Sequence, residues 1–287
     1  MMRRALALGL VLALSVAAFG DYPADRKAAT ELVTAGKNEE AMAAFTKMAA
    51  GDVSEAQKSD ALEQAVLCAL RLKQVDQALK LAKQIPSVPV SKMCQMRVLA
   101  AGLKWDELIA QFKDEALATW PDEVRFDAAC LRGQAYFQLK DGKAAEADLK
   151  TAAEGHPSNL GKAEASLSLG DTYRDLLKDE GKALDAYAKA SGRIGSWITF
   201  TAVLSSTDIL RKQGKYDDAM KMLQKIDIAK TTGYWRFTFV TEHAEILAGQ
   251  GKKAEAIAKL EEGIADEAIT NEFKKDWERR LNELNAQ

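Results

Sequence analysis

The stretch LRGQAYFQLKDGKAAEADLKTAAEGHP, residues 131–157, decides how the rest of the chain is read. Apolar and small side chains recur three and four positions apart on both sides of Lys140-Asp141-Gly142, which is the spacing of one face of a helix. The stretch therefore reads as two short amphipathic helices joined by a tight turn. Gly133 and Ala145 are the small residues where the two helices would approach most closely. Tyr136, Leu149 and Ala152 fill the rest of the contact, and Pro157 ends the unit.

Weaker copies recur outward from it. Aligned on the small residue of each second helix, the copies carry Ala41, Ala78, Leu108, Ala145, Ala183, Ala219 and Ala256, with successive gaps of 37, 30, 37, 38, 36 and 37 residues. The second clear copy has Gly170, Tyr173 and Ala183, with one residue inserted between its helices. Three further copies share a turn, Gly36-Lys37, Gly214-Lys215 and Gly251-Lys252, followed by the alanine five residues after the glycine. The copies around Ala78 and Leu108 match only in period, and in the latter a leucine replaces the small alanine. Over about residues 25–265 this pattern resembles the tetratricopeptide repeat, whose period is about 34 residues. The resemblance implies an all-α fold, an α-α superhelix or solenoid of about seven helix pairs, used for holding proteins or peptides. A helix pair alone leaves one face apolar, and stacking the next pair buries it, so stability comes from neighbour contacts.

In order, helices are expected over residues 25–35, 39–50, 54–72, 76–85, 91–101, 106–117, 122–139, 143–154, 161–177, 182–190, 197–213, from 216 onward, 232–248 and 253–264. Pro86 and Pro89 are expected to stop the fourth, Trp120-Pro121 breaks the chain, and Gly192 and Gly195 lie in a loop. A final helix over 271–285 carries Phe273, Trp277 and Leu281 on one face and charge on the other, the form of a cap at the end of a repeat array. No segment has the strict alternation of a strand. The expected organisation is a secretory signal at 1–20, a repeat array at 21–270 and a capping helix at 271–287.

The 287 residues are 47% apolar and 29% charged, with 40 basic against 42 acidic side chains. That balance supplies no concentrated basic footprint, so nucleic acid is excluded as an expected partner. The N-terminus begins with Arg3 and Arg4, continues as an uncharged apolar run from Ala5 to Phe19, and presents the small residues Ala18 and Gly20 before Asp21-Tyr22-Pro23. This is the three-part form of a secretory signal, with cleavage expected after Gly20. The run is shorter than the roughly 20 residues of a spanning helix, so no stable membrane span is expected after cleavage, and the product is expected to be periplasmic or secreted. Cys68, Cys94 and Cys130 all fall in expected helices, at separations that do not resemble a zinc site. They are read as small buried side chains, with a Cys68–Cys94 bridge as the alternative in an exported protein.

In the family this chain resembles, the first helix of each pair lines the concave face and holds an extended peptide. One polar position on those helices keeps a constant period here: Arg97, Gln134, Asp171, Asp208 and Glu245, each 37 residues after the last, with Arg174 and Arg211 three residues beyond two of them. These seven are the candidate partner-binding residues. The family's carboxylate clamps use basic and amide residues, whereas this row is acidic towards its C-terminal end, so a basic or mixed-charge segment fits better than an acidic terminus. The competing reading is a solvated face, because Asp171 with Arg174 and Asp208 with Arg211 are placed to pair three apart on a helix. Reversing Asp171 and Asp208 to lysine is expected to leave folding intact and to reduce partner capture. A second candidate is the aromatic run Tyr234 to Phe239 with Trp197 and Phe200. It would serve either as a partner patch or, as buried aromatics usually do, as packing between repeats.

Signs of catalysis are weak. His156 sits in a loop before a proline and His243 lies mid-helix, neither in a nucleophile signature. The Gly-Lys turns lack the glycine and hydroxyl spacing of a phosphate-cradling loop. The expected function is a non-enzymatic protein-interaction scaffold, with no catalytic, cofactor or metal residues, capturing a peptide or protein segment on the concave face. The alternative is a structural or accessory subunit of a cell-envelope assembly.

Overall fold

The computed structural model describes residues 21–192 and 197–286. The expected signal segment, its cleavage point and Gly195 lie outside the described residues. The described chain is all-α, with fifteen α-helices and no strand. They are α1 Tyr22–Thr34, α2 Asn38–Ala49, α3 Glu55–Arg71, α4 Val75–Ala82, α5 Val88–Ala101, α6 Trp105–Phe112, α7 Asp122–Gln138, α8 Gly142–Gly155, α9 Asn159–Asp171, α10 Glu180–Ala190, α11 Trp197–Lys212, α12 Tyr216–Leu223, α13 Gly233–Gly249, α14 Lys253–Ala265 and α15 Asn271–Ala286. None of the described helices is long and apolar enough to cross a membrane.

The chain divides into two compact units between Leu131 and Arg132, inside α7. In the first unit each helix from α1 to α5 packs on the next, and the first helices of successive pairs also touch, α1 on α3 and α3 on α5. The second unit repeats the scheme, with α9 on α11 and α11 on α13, and α15 lies against α14. Contact between first helices as well as between sequence neighbours is what makes these tetratricopeptide-like pairs rather than independent hairpins.

Local chemistry explains where the helices begin. Ser54 opens α3 with a capping box, its hydroxyl accepting from the Gln57 N–H while the Gln57 side chain accepts from the Ser54 N–H, which satisfies two otherwise orphaned donors. Asp141, Ser158 and Asp179 cap α8, α9 and α10 in the same position. Pro89 does not end α4 as expected. It stands in the first turn of α5, where a missing N–H is harmless and its fixed φ favours the helix. The helix expected to run to Leu117 stops at Phe112, and a short 3-10 turn, Leu117–Thr119, leads to Trp120 instead.

Every pair turns through the same backbone device. Gly36, Lys73, Leu103, Lys140, Lys178, Gly214 and Gly251 all have φ between +55° and +76°, and each stands five residues before the small residue of its second helix. At Leu103 its own N–H donates to the Ala100 carbonyl (3.0 Å) and the Lys104 N–H donates to the Leu99 carbonyl (2.9 Å), the Schellman pattern that satisfies the last carbonyls of a helix. The copies around Ala78 and Leu108, which match in sequence only by period, are therefore full members in backbone terms. A side chain at positive φ is strained by about 1 kcal/mol, and glycine is not. Leu103 is 73% exposed and has little packing to lose. Leu103→Gly is thus expected to stabilise the first unit by about 1 kcal/mol, read as a higher denaturant midpoint at unchanged slope.

The residue inserted in the second clear copy is absorbed in an unexpected place. The helix begun by α9 continues as a π-helical turn, Thr172–Leu177, and each π turn takes one residue more than an α turn. The crossing is left undisturbed, with Gly170 and Ala183 both buried.

The core follows from these crossings. Twelve residues before the small residue of each second helix, or thirteen in the π-turn copy, stands Ala29, Val66, Met96, Gly133, Gly170, Thr207 or Ala244, and all seven are buried. At Gly133 the neighbour is Leu149, not Ala145: a Cβ there would lie 2.6 Å from Leu149 Cγ. Tyr136, expected in this contact, is only half-buried, and Ala135 is the buried residue beside it. At the C-terminal end Trp277 is fully buried and donates from Nε1 to Thr241 Oγ1 (2.9 Å). Its ring lies against Gly263, where a Cβ would meet it at 2.7 Å. Cys68 and Cys94 are buried and are not joined to each other, and burial pushes the Cys94 thiol up to about 12.

Candidate functional site

The constant-period row lies on first helices in both units. Arg97, on α5, belongs to the first unit. There its guanidinium donates to Asp127 (2.9 Å) and, at 3.4 Å, to Glu63 on α3. Burial pushes the Glu63 carboxyl up, and the Arg97 charge opposes that shift.

The rest of the row belongs to the second unit and is tied together by side chains the sequence did not point to. Gln134 donates to Ser168 on α9 (3.2 Å). Asp171 accepts a short bond from the Tyr187 hydroxyl on α10 (2.6 Å) and pairs with Arg174 (3.1 Å). Burial raises its pKa, while the Tyr187 bond and the Arg174 charge oppose that rise. Arg174 makes a two-pronged pair with Asp175 (2.7 and 2.8 Å) and reaches Ser205 on α11 (3.0 Å). Arg211 is held by three carboxylates: Asp208 on its own helix (2.8 Å), and Glu242 (3.0 Å) and Glu245 (2.9 Å) on α13. Glu245 also pairs with Arg280 of α15, which Asp276 holds at 2.7 Å.

The row is thus a ladder of hydrogen bonds and ion pairs joining α9, α11, α13 and α15. Exposed pairs contribute little, with a median of 0–1 kcal/mol. These side chains are 22–30% exposed, and Asp171, Arg174, Arg211 and Glu245 have partners on neighbouring helices, so they set the register between repeats. Asp208 also pairs with Lys212 through its second oxygen (2.7 Å), so both oxygens of Asp208 and of Glu245 are engaged, and the two side chains are 27% and 30% exposed. Charge reversal at Asp171 would leave the Tyr187 hydroxyl without its acceptor and place a second cation beside Arg174. Contrary to the expectation from sequence, Asp171→Lys is expected to lower stability by about 2–3 kcal/mol, on the scale of a lost charged hydrogen bond in a half-buried site. Asp208→Lys would remove one of three carboxylates around Arg211 and cost less. Chemical denaturation of the two variants checks the order.

Several of these partners carried a weak signal in the sequence. Tyr187 stands four residues after Ala183, on the same face of its helix, but its hydroxyl contact was not legible. Glu242 stands three residues before Glu245, on the same helix face. Arg280 is outside the 37-residue register altogether, and only the packing of the last helix brings it to Glu245.

The aromatic run divides. Phe200 and Phe239 are buried. Phe237 stacks on Phe273 (centroids 4.4 Å apart) and lies 5.2 Å from Trp277, so it belongs to the core around the last helix. Trp197 and Tyr234 remain more than half exposed. Of the histidines, His156 closes the loop before α9. Its Nδ1 accepts from the Ser158 N–H (3.0 Å), while the Ser158 hydroxyl accepts from the Gly161 N–H (3.0 Å). This close Ser–His pair is accounted for as a helix cap. His243 meets Phe239 edge-on at 5.9 Å, and burial lowers its pKa.

No family model matches the chain, and no curated protein matches it. Among solved structures it is similar to a tetratricopeptide repeat protein from Parabacteroides merdae ATCC 43184. The two are 14% identical, the match covers 93% of this chain and 99% of that one, and the TM-score is 0.40. By its own helix pairing, the chain is an all-α, tetratricopeptide-like repeat protein.

Proposed function

We propose that this chain is a non-enzymatic scaffold that holds a peptide or protein segment on the face built by the first helices of its pairs, in the periplasm or outside the cell after removal of residues 1–20. The supporting observation is the row Gln134, Asp171, Asp208 and Glu245, repeated at a 37-residue period on successive first helices. Asp208 and Glu245 are 27% and 30% exposed. Three carboxylates converge on Arg211, with Lys212 and Arg280 paired to two of them, and this mixed-charge surface suits a basic or mixed-charge segment.

The test is photo-crosslinking in the native cell fractions. A photoreactive residue at Lys212, which is exposed beside Asp208, samples the first-helix face. One at Lys221, exposed on α12, samples the second-helix face. A discrete adduct at Lys212 that is absent at Lys221, found in the exported fraction, is the expected result. Adducts only at Lys221 would instead support the reading as a subunit of an envelope assembly.

A further inference from the structure

Three large apolar side chains of the second unit are exposed at one and the same repeat position. Leu160, Trp197 and Tyr234 are 41%, 55% and 58% exposed. They stand 37 residues apart, in the first turns of α9, α11 and α13. Each precedes its buried crossing residue, Gly170, Thr207 or Ala244, by ten positions. Large apolar side chains scattered singly need no explanation, but three in one register on successively packed helices form a row. Eleven residues separate each from Asp171, Asp208 or Glu245, about 16 Å along the helix at 1.5 Å per residue, so this edge is a different surface from the polar row.

The setting of the row indicates what it takes. Leu160 borders a groove of about 700 Å³ between α8, α9 and α10, with Ala153, Ala163 and Ala190 in its wall. Lys162 and Lys189 line the same groove, are both exposed and form no ion pair among the described residues, and the lining contains no carboxylate. Two unpaired cations in a groove without acid select an acidic occupant.

Spacing selects its conformation. Packed helices lie 8–10 Å apart, so the three side chains present equivalent contacts at about that interval. A polyproline II helix has three residues per turn and rises 3.1 Å per residue, which returns the same face about every 9 Å. A strand turns its third residue to the opposite face, and an α-helix needs about seven residues to cover the distance. Aromatic side chains are the usual docking surface for polyproline II segments; here Leu160 borders the groove, and the exposed Trp197 and Tyr234 continue the row beyond it.

We propose that the N-terminal edge of α9, α11 and α13 binds an acidic, proline-rich segment in the polyproline II conformation, with one proline or other apolar residue of each triad against Leu160, Trp197 and Tyr234 and its carboxylates towards Lys162 and Lys189. This goes beyond the scaffold reading and does not depend on the polar row.

The probe is a fluorescein-labelled synthetic peptide of repeated Pro-Pro-Glu triads, longer than the roughly seven residues needed to reach three helices, titrated with the full chain and followed by anisotropy. Saturable binding is expected. The double variant Trp197→Ala/Tyr234→Ala and the double variant Lys162→Glu/Lys189→Glu are each expected to raise Kd at least about tenfold while keeping the wild-type far-UV circular dichroism, because all four side chains are exposed. Failure of the wild type to saturate, equal binding of a Pro-Pro-Lys peptide, or unchanged Kd in the folded aromatic variant would overturn the proposal. So would sedimentation showing a wild-type dimer that this variant converts to monomer, because the row would then be a contact between copies of the chain. Crosslinking at Lys212 reads the other face, so either result can fail without the other.

Discussion

Gly133→Leu is expected to cost about 3 kcal/mol and to loosen the first crossing of the second unit. Taken alone, replacing glycine in a helix interior gains up to about 1 kcal/mol from propensity. Here packing opposes that gain. A Cβ on residue 133 would lie 2.6 Å from Leu149 Cγ and 3.1 Å from the Leu149 backbone nitrogen. A side-chain carbon can move aside, but the backbone nitrogen moves only if α8 moves, and overpacking of this kind costs 1–3 kcal/mol or more. Thermal melting with the Gly133→Ala variant alongside separates the contributions, since alanine adds the first contact without the bulk. An unchanged melting temperature in Gly133→Leu would mean that α7 and α8 do not cross at this residue.

Trp277→Ala should have the largest effect of any single change in the last helix, about 3–5 kcal/mol, the usual range for removing a buried large aromatic. The ring is fully buried, sits over Gly263 and closes the cluster formed by Phe237, Phe239 and Leu260. It also donates to Thr241, so the variant loses that hydrogen bond as well as opening a cavity, while the Thr241 hydroxyl keeps its donation to the Phe237 carbonyl (2.9 Å). The most direct readout is hydrogen exchange, where residues of α15 should lose protection before those of α9 and α10. Trp277→Phe keeps most of the ring and loses the hydrogen bond, and is expected to cost less than half as much. If Trp277→Ala left α15 protected, the helix would be held by the Arg280 pair with Glu245 of α13 rather than by its apolar face.

Both predictions bear on which parts of the molecule could be read from the chain. Helix positions were legible because each face repeats its apolar residues at three and four, and because Gly and Ala mark the crossings. The positive φ at Lys73, Leu103, Lys140 and Lys178 was not legible. Positive φ normally selects glycine, and here the hydrogen bonds that close each helix end accompany leucine and lysine in that conformation. The π-helical turn was visible only as a count, one residue too many between Gly170 and Ala183. Where the extra residue would go depended on which helix could distort without disturbing the crossing.

The candidate site shows the same division. Residue type and a 37-residue period were enough to place Asp171, Asp208 and Glu245 at one offset and to name Arg174 and Arg211 beside them, because periodicity is a property of local sequence. Their partners were decided by packing between repeats. Tyr187, Ser205, Glu242 and Arg280 come from other helices, and Arg280 from a helix outside the period. The exposed row of Leu160, Trp197 and Tyr234 belongs with these. Its period was in the sequence, but an apolar residue at the start of a helix is as readily core as surface. Only the stacked helices determine that Phe200 and Phe239 are covered while Trp197 and Tyr234 face water. By itself the sequence determined a repeating set of helix pairs and the register of their polar positions. The tertiary structure decided which side chains meet and which remain exposed, because burial depends on neighbours a whole repeat away.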